Sequence, residues 1–131
     1  MRWTCARPSL LMAWSVLPLL SACGDPPAGP DLIIEPIHVD SVDVVVGTSV
    51  PLAVEVLVHG VVGDGCSVVH SVRQERSGST VTITILRERP RNAICTQEAR
   101  LYAARILLEG TYAPGSYLVR ANDVERVFTI P

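Results

Sequence analysis

The segment Val50-Pro51-Leu52-Ala53-Val54-Glu55-Val56-Leu57-Val58-His59 sets Val50, Leu52, Val54, Val56 and Val58 against Pro51, Ala53, Glu55, Leu57 and His59. An apolar set recurring every second residue lies on one face of an extended strand, whereas a helix would scatter it around its circumference. The segment is therefore expected to be a strand buried on one side. Pro51 stands near its start, where a missing N–H donor costs least. Upstream, the β-branched run from Ile37 to Val46 ends at Gly47-Thr48 and predicts a first strand. Downstream, Gly63-Asp64-Gly65 marks a turn. Residues Cys66 to Arg76 then predict a further strand, with Cys66, Val68 and Val72 on one side.

Two hairpins carry their own register. If Gly78-Ser79 are the central residues of a type II′ turn, Ser77 faces Thr80 and Val72 faces Ile85. Val81, Ile83 and Ile85 then form the inner face, while Thr82, Thr84 and Glu88 point outward beside Glu75, Arg73 and Val69. The second hairpin begins at Pro114-Gly115 and turns at Asn122-Asp123, both of which tolerate the positive φ of a type I′ turn. Ala121 then faces Val124, Tyr117 faces Phe128 on the inner side, and Arg120 faces Glu125 on the outer side. Between the hairpins, Ala99 to Leu108 fits helix by propensity. Leu101, Arg105 and Leu108 could lie along one helical side, but a strand with Tyr102, Ala104, Ile106 and Leu108 inward is preferred.

About seven strands at spacings of about ten residues, joined by Gly, Pro, Asn and Asp turns, define the expected fold class. It is all-β, an immunoglobulin-like antiparallel β-sandwich. One flat sheet cannot bury these inner faces.

The 131-residue chain carries 11 basic and 13 acidic side chains, for a formal charge of −2. That bounds it to one domain and provides no field for nucleic acid. All its basic residues are Arg. The 48% apolar content is partly local, since Trp3, Trp14, Met1 and Met12 all fall in the opening segment.

That segment reads as an address. Met1-Arg2 and Arg7 precede a short apolar stretch from Leu10 to Leu17, Pro18 interrupts it, and small residues follow. A charged start, a short apolar middle and a small-residue end make a secretory signal. At Leu20-Ser21-Ala22-Cys23 the chain resembles the lipobox of bacterial lipoproteins. The resemblance implies cleavage before Cys23 and lipidation of its thiol. With the Pro- and Gly-rich residues after it read as a tether, the chain divides into a signal peptide at residues 1–22, a lipidated Cys23 with a Pro/Gly tether at 23–32, and a sandwich at 33–131. The resemblance also implies export and a membrane partner reached through the lipid, at the outer membrane or cell surface. Two or more acyl chains hold a small domain at a membrane durably, whereas one does so only marginally.

With Cys5 in the signal and Cys23 lipidated, Cys66 and Cys95 remain, and an exported chain should join them in a disulfide. Free thiols or a metal pair are the alternatives. Closing about 30 residues is worth roughly 3 to 4 kcal/mol in the chain-entropy model.

The chain also resembles a group of small bacterial secreted proteins and lipoproteins. The matching pieces are Gly65-Cys66, Arg73-Gln74-Glu75-Arg76, Pro90, Cys95-Thr96-Gln97 and Pro114-Gly115-Ser116-Tyr117, followed by Val119, Asn122, Val124 and Phe128. The resemblance covers most of the domain, from about residue 39 to 130. The resemblance implies the fold and the export, and no catalytic residue comes with it.

A search for chemistry finds little. His38, His59 and His70 fall on three different predicted strands, with none of the close spacings of a metal site. Asp40, Asp43, Asp64 and Asp123 lie at loops or strand ends without an EF-hand spacing. Ser67 and Ser71 flank His70, but neighbours at odd separations on a strand point to opposite faces. No catalytic residue, metal or cofactor is therefore expected. Arg73, Arg76, Arg87, Arg89 and Arg91 concentrate on one hairpin and its following loop, interleaved with Glu75 and Glu88. They are a candidate interaction face for phosphate, lipid headgroups or an acidic partner, or else a solvated face that discourages edge pairing. The expected function is a non-catalytic, lipid-anchored envelope module that binds or supports an envelope component. The alternative is an exported protease inhibitor that presents loops from a sandwich.

Overall fold

The computed structural model describes Gly29 and residues 31–131. The expected signal peptide, Cys23 and most of the expected tether lie outside the described residues. Eight strands follow in order: β1 (Leu32–Pro36), β2 (His38–Val46), β3 (Val54–Gly63), β4 (Val68–Ser77), β5 (Thr80–Pro90), β6 (Arg100–Leu107), β7 (Gly115–Ala121) and β8 (Val124–Ile130). They form two sheets, one of β1, β4, β5, β7 and β8 and one in the order β2-β3-β6, so the all-β sandwich is present. Its core is aliphatic and mostly Val and Ile, with Val56, Val58, Ile83, Ile85 and Val119 fully buried between the sheets.

The hairpin registers follow the side-chain pattern. Ser77 lies opposite Thr80 and Val72 opposite Ile85, across a turn whose Gly78 has φ 61°. Tyr117 lies opposite Phe128 and Arg120 opposite Glu125. The disputed segment is strand β6, with Tyr102, Ala104 and Ile106 half-buried and Leu108 buried behind them. Burial of the alternate residues against β3 outweighs the helical propensity of Ala, Leu and Arg.

Several expectations need correction. The strand expected from Val50 begins at Val54: Gly47 N–H donates to Ala53 O at 2.7 Å and closes a loop that leaves Val50 fully exposed. Pro51 has no N–H with which to extend the ladder upstream. A bulge between Val69 and Ser71 moves Glu88 opposite Val68 instead of Val69. Val72 sits on the inner side yet stays 42% exposed, because β4 is an edge strand that overhangs the core. At the last turn only Asn122 takes positive φ, at 50°, so the turn is not type I′.

The additional strand is β1, which opens at Leu32, where the tether was expected to end. It pairs with the second half of β5, from Leu32 opposite Pro90 to Pro36 opposite Leu86. Strand β7 runs parallel to the first half of β5, from Thr80 opposite Leu118 to Ile83 opposite Ala121. Two strands thus share one edge of β5, end to end, and the ladder is broken between them.

Asn122 fills the break. Its backbone N–H donates to Ile83 O at 3.0 Å, and its side-chain oxygen accepts the Ile85 N–H at 2.9 Å. Its amide nitrogen donates to Ile37 O at 2.9 Å and to Ile85 O at 3.1 Å. Ile37 N–H also donates to Ile85 O, at the point where the chain leaves β1 for β2 and crosses to the other sheet. Leaving a buried backbone group unpaired costs about 1–3 kcal/mol. Asn122→Ala is therefore expected to lower stability by roughly 2–4 kcal/mol in chemical denaturation. Asn122→Gly, which keeps the backbone freedom and loses only the carboxamide, should lose nearly as much.

Candidate functional site

The sequence candidates divide between the two ends of the sandwich. At one end Cys66 and Cys95 are joined, with Cα atoms 5.4 Å apart, linking the turn before β4 to the loop after β5. The turn is held by Asp64, whose carboxylate accepts the Ser67 O–H at 2.9 Å and the Cys66 N–H at 3.2 Å. Gly65 N–H donates to Thr96 O at 3.0 Å and draws the cysteine loop against the turn. A Cβ at Gly65 would collide with the Thr96 hydroxyl, and one at Gly63, where φ is 146°, would collide with Arg87 and Ser67. Both positions need glycine for close approach.

Arg87 and Arg89 lie on the inward side of β5, beyond the aliphatic core. Arg87 is ion-paired with Glu35 and donates to Val62 O at 3.0 Å. Arg89 sits 3.5 Å from Asp64. Ser67 is wholly buried, with its proton committed to Asp64, so it acts as a clamp for the turn. The Ser67 O–H does most to hold the Asp64 carboxyl below its ordinary value of 3.8; burial opposes it, and the Cys66 N–H, Arg89 and Arg87 reinforce it.

The other arginines go elsewhere. Arg91 pairs with Asp31 at 2.8 Å on the β1 side. Arg73 and Arg76 take opposite faces of β4, opposite Thr84 and Val81 respectively. Arg76 closes the far end of the sandwich, with its guanidinium 4.4 Å from the Tyr112 ring centroid and 5.4 Å from that of Tyr117. Tyr117 stacks on Phe128 with centroids 5.4 Å apart and donates its O–H to Ala113 O at 2.9 Å. Burial pushes the Tyr112 phenol up, and the Arg76 charge partly offsets this. The five arginines therefore do not converge on one surface; Arg87 is half-buried within the fold, whereas Arg76 is exposed and lies over the aromatic rings at the far end.

The histidines are also separated. His38 is 3.2 Å from Asp40, His70 is 2.6 Å from Glu88, and His59 lies on the outer face of β3 opposite Ser41. Among the described residues, no cluster of three His, Cys, Asp or Glu side chains is placed to hold a metal. The aspartates are similarly dispersed, with Asp43 held by Arg126 at 2.7 Å.

Sequence reasoning missed the surface where the sandwich is least finished. Strands β4 and β6 are free edges on the same side of the molecule, tied by Gln74, which donates to Leu107 O at 2.8 Å and accepts the Glu109 N–H at 3.1 Å. Beside them Leu101 is 81% exposed and Leu107 57% exposed. The signal was present, since Leu101 and Leu107 fall out of phase with the inward set of β6. It cannot be read without knowing which strand ends the sheet.

The architecture defines a small, disulfide-pinned β-sandwich. Residues 56–130 match the model of the ORF11 beta-sandwich domain, and the chain belongs to that family. A Herpetosiphon aurantiacus protein described as an uncharacterized 10.2 kDa protein in the HgiCIIM 5′ region is 35% identical over 86 residues, covering 66% of this chain and 92% of the relative. Two further proteins of that organism, described likewise for the HgiBIM and HgiEIM 5′ regions, are each 36% identical over 76 residues, covering 58% of this chain and 93% of each relative. No solved structure matches the chain.

Two measurements check this site. Replacing Cys66 and Cys95 together by Ala should lower stability by roughly 3–4 kcal/mol, the loop entropy of a 29-residue separation, as read by denaturant titration. Because the folded pKa of Asp64 is depressed, its stabilising contribution is complete above about pH 4 and is lost as pH falls through the lowered value. The acid limb of the stability–pH curve should therefore be shallower in Asp64→Asn.

Proposed function

We propose that the chain is a non-catalytic module of the cell envelope, exported, lipidated at Cys23, and used to bind or support another envelope component. The observation that carries this reading is the Cys66–Cys95 bridge, because disulfides persist in oxidising compartments and are rare in the cytosol. It agrees with the secretory pattern of residues 1–22 and the lipobox-like Leu20-Ser21-Ala22-Cys23. The Pro- and Gly-rich residues that follow suit a tether between lipid and sandwich. The side chains that would signal chemistry are engaged in the fold, Ser67 with Asp64 and His70 with Glu88.

A specific feature favours the alternative of a protease inhibitor. Ile94 is fully exposed on the loop that Cys95 pins to the body, and a rigid loop with a protruding apolar side chain is what a protease cleft accepts at low entropic cost. An inhibition screen with micromolar protein separates the readings: inhibition lost in Ile94→Asp supports the inhibitor, and no inhibition of any protease removes it.

The anchor has its own test. In cells fed radiolabelled palmitate, the chain should take up label, partition into detergent and lose both properties in Cys23→Ser. An unlabelled chain recovered in the aqueous phase would overturn the anchor.

A further inference from the structure

The free edge of β6 is open over a short, symmetric window. Leu108 N–H donates to Val54 O at 2.9 Å. The two-residue alternation of an antiparallel ladder then turns Ile106, Ala104 and Tyr102 toward β3 and leaves the N–H and C=O groups of Leu101, Ala103, Arg105 and Leu107 on the open side. Gln74 occupies the far end, at Leu107 O and Glu109 N–H. At the near end Arg100 reaches across to Ser67 O at 3.3 Å. Between these two ties the backbone groups of Leu101, Ala103 and Arg105 have no partner among the described residues.

We propose that this window pairs with its own counterpart in a second copy of the chain, the two β6 strands running antiparallel about a dyad at Ala103. In that register Leu101 meets Arg105 of the second copy, Ala103 meets Ala103, and Arg105 meets Leu101. All three residues with outward-directed backbone groups are paired, which gives about six hydrogen bonds. The small Ala103 side chain leaves room for its counterpart at the axis.

The side chains of this edge are complementary to those of a second copy in this register. Arg105 is already met in its own chain by Glu55 at 2.8 Å and would lie against an uncharged leucine, so no like charges face each other. The aliphatic stem of Arg105 would cover the exposed Leu101. The β4 edge is defended by contrast: it carries Arg73, Glu75 and Arg76 and is bent by a bulge, devices that discourage pairing. The continuous six-stranded sheet would also join two outer faces that already carry Val45, Leu57, Val61, Leu101 and Leu107.

A pairing this short spans roughly 16 Å of edge. It falls in the class of interfaces burying under about 1,200 Å², so the dimer is weak and reversible. It does not depend on the anchor or on the envelope role.

The test is sedimentation equilibrium of the full-length chain carrying Cys23→Ser, oxidised, from about 1 μM to about 1 mM, the span of weak association. The weight-average mass should rise from 14.1 kDa toward twice that value, and amide exchange at Ala103 and Arg105 should slow several-fold with concentration while Val72 on the β4 edge is unchanged. Ala103→Pro removes the donor at the dyad on a side where no intramolecular bond is lost, and should weaken association at least tenfold. Leu101→Lys, which places a second cation against Arg105 of the other copy, should do the same if the proline variant does not fold. A mass that stays monomeric throughout overturns the proposal. So does association that both variants leave intact, or slowed exchange at these amides that arises only when an unrelated extended peptide is added.

Discussion

The carboxamide of Asn122 holds together what the strands leave apart. Strand β5 is longer than either neighbour on its inner edge, and β7 and β1 meet that edge with a gap between Ile83 and Leu86. A gap of this kind exposes a buried N–H and C=O, whose cost is comparable to a lost hydrogen bond each. Asn122 supplies one acceptor and two donor hydrogens at the required spacing, standing in for a residue of strand. Its positive φ brings the side chain back over the turn, so the closing hairpin, the central strand and the point where β1 crosses to β2 are fixed by one residue. Aspartate is close in shape but would present only acceptors to the carbonyls of Ile37 and Ile85 when ionised.

Much of this fold is legible in the sequence, because its determinants are local. The alternation of Val54, Val56 and Val58 and the two hairpin registers follow from period and turn chemistry, whereas β6 fits strand and helix alike. The disulfide follows from the cysteine arithmetic if Cys5 is assigned to a signal peptide and Cys23 to lipid. What is hidden is non-local. Nothing in Leu32–Pro36 says that it will pair with a strand more than fifty residues away, and the parallel meeting of β5 and β7 leaves no mark on either pattern. Asn122 could be read as a turn residue but not as a ladder residue, since its partners lie 37 and 85 positions away.

The candidate sites follow the same division. An arginine run in the sequence is an array only if the strands carrying it keep those side chains on one surface. Here the alternation of β4 separates Arg73 from Arg76, and β5 turns Arg87 and Arg89 inward toward Glu35, Ser67 and Asp64. These guanidiniums extend the core at its ends, where aliphatic side chains have run out and the fold must still exclude water from Ser67 and from the aromatic cluster. Planar guanidinium suits both tasks, stacking on Tyr112 at one end and reaching backbone carbonyl, hydroxyl and carboxylate together at the other. That use is consistent with a chain whose basic residues are all arginine.

Gln74 repeats at the surface what Asn122 does inside. Its amide donates to Leu107 O and accepts the Glu109 N–H, the two contacts an additional strand would make there. A sheet edge invites further strands for as long as it stays unpaired. A side chain that covers only one end shortens the invitation without withdrawing it. What is left on β6 is too brief to template the long ladders of aggregation, yet long enough for one short partner strand. The same carboxamide bridges β4 to β6 across the mouth of the sandwich, so a strand added at Ala103 would lengthen a sheet whose position over the core is already fixed. Binding there would require no rearrangement of the aliphatic interior, which keeps the cost of association to the ordering of exposed side chains at the edge.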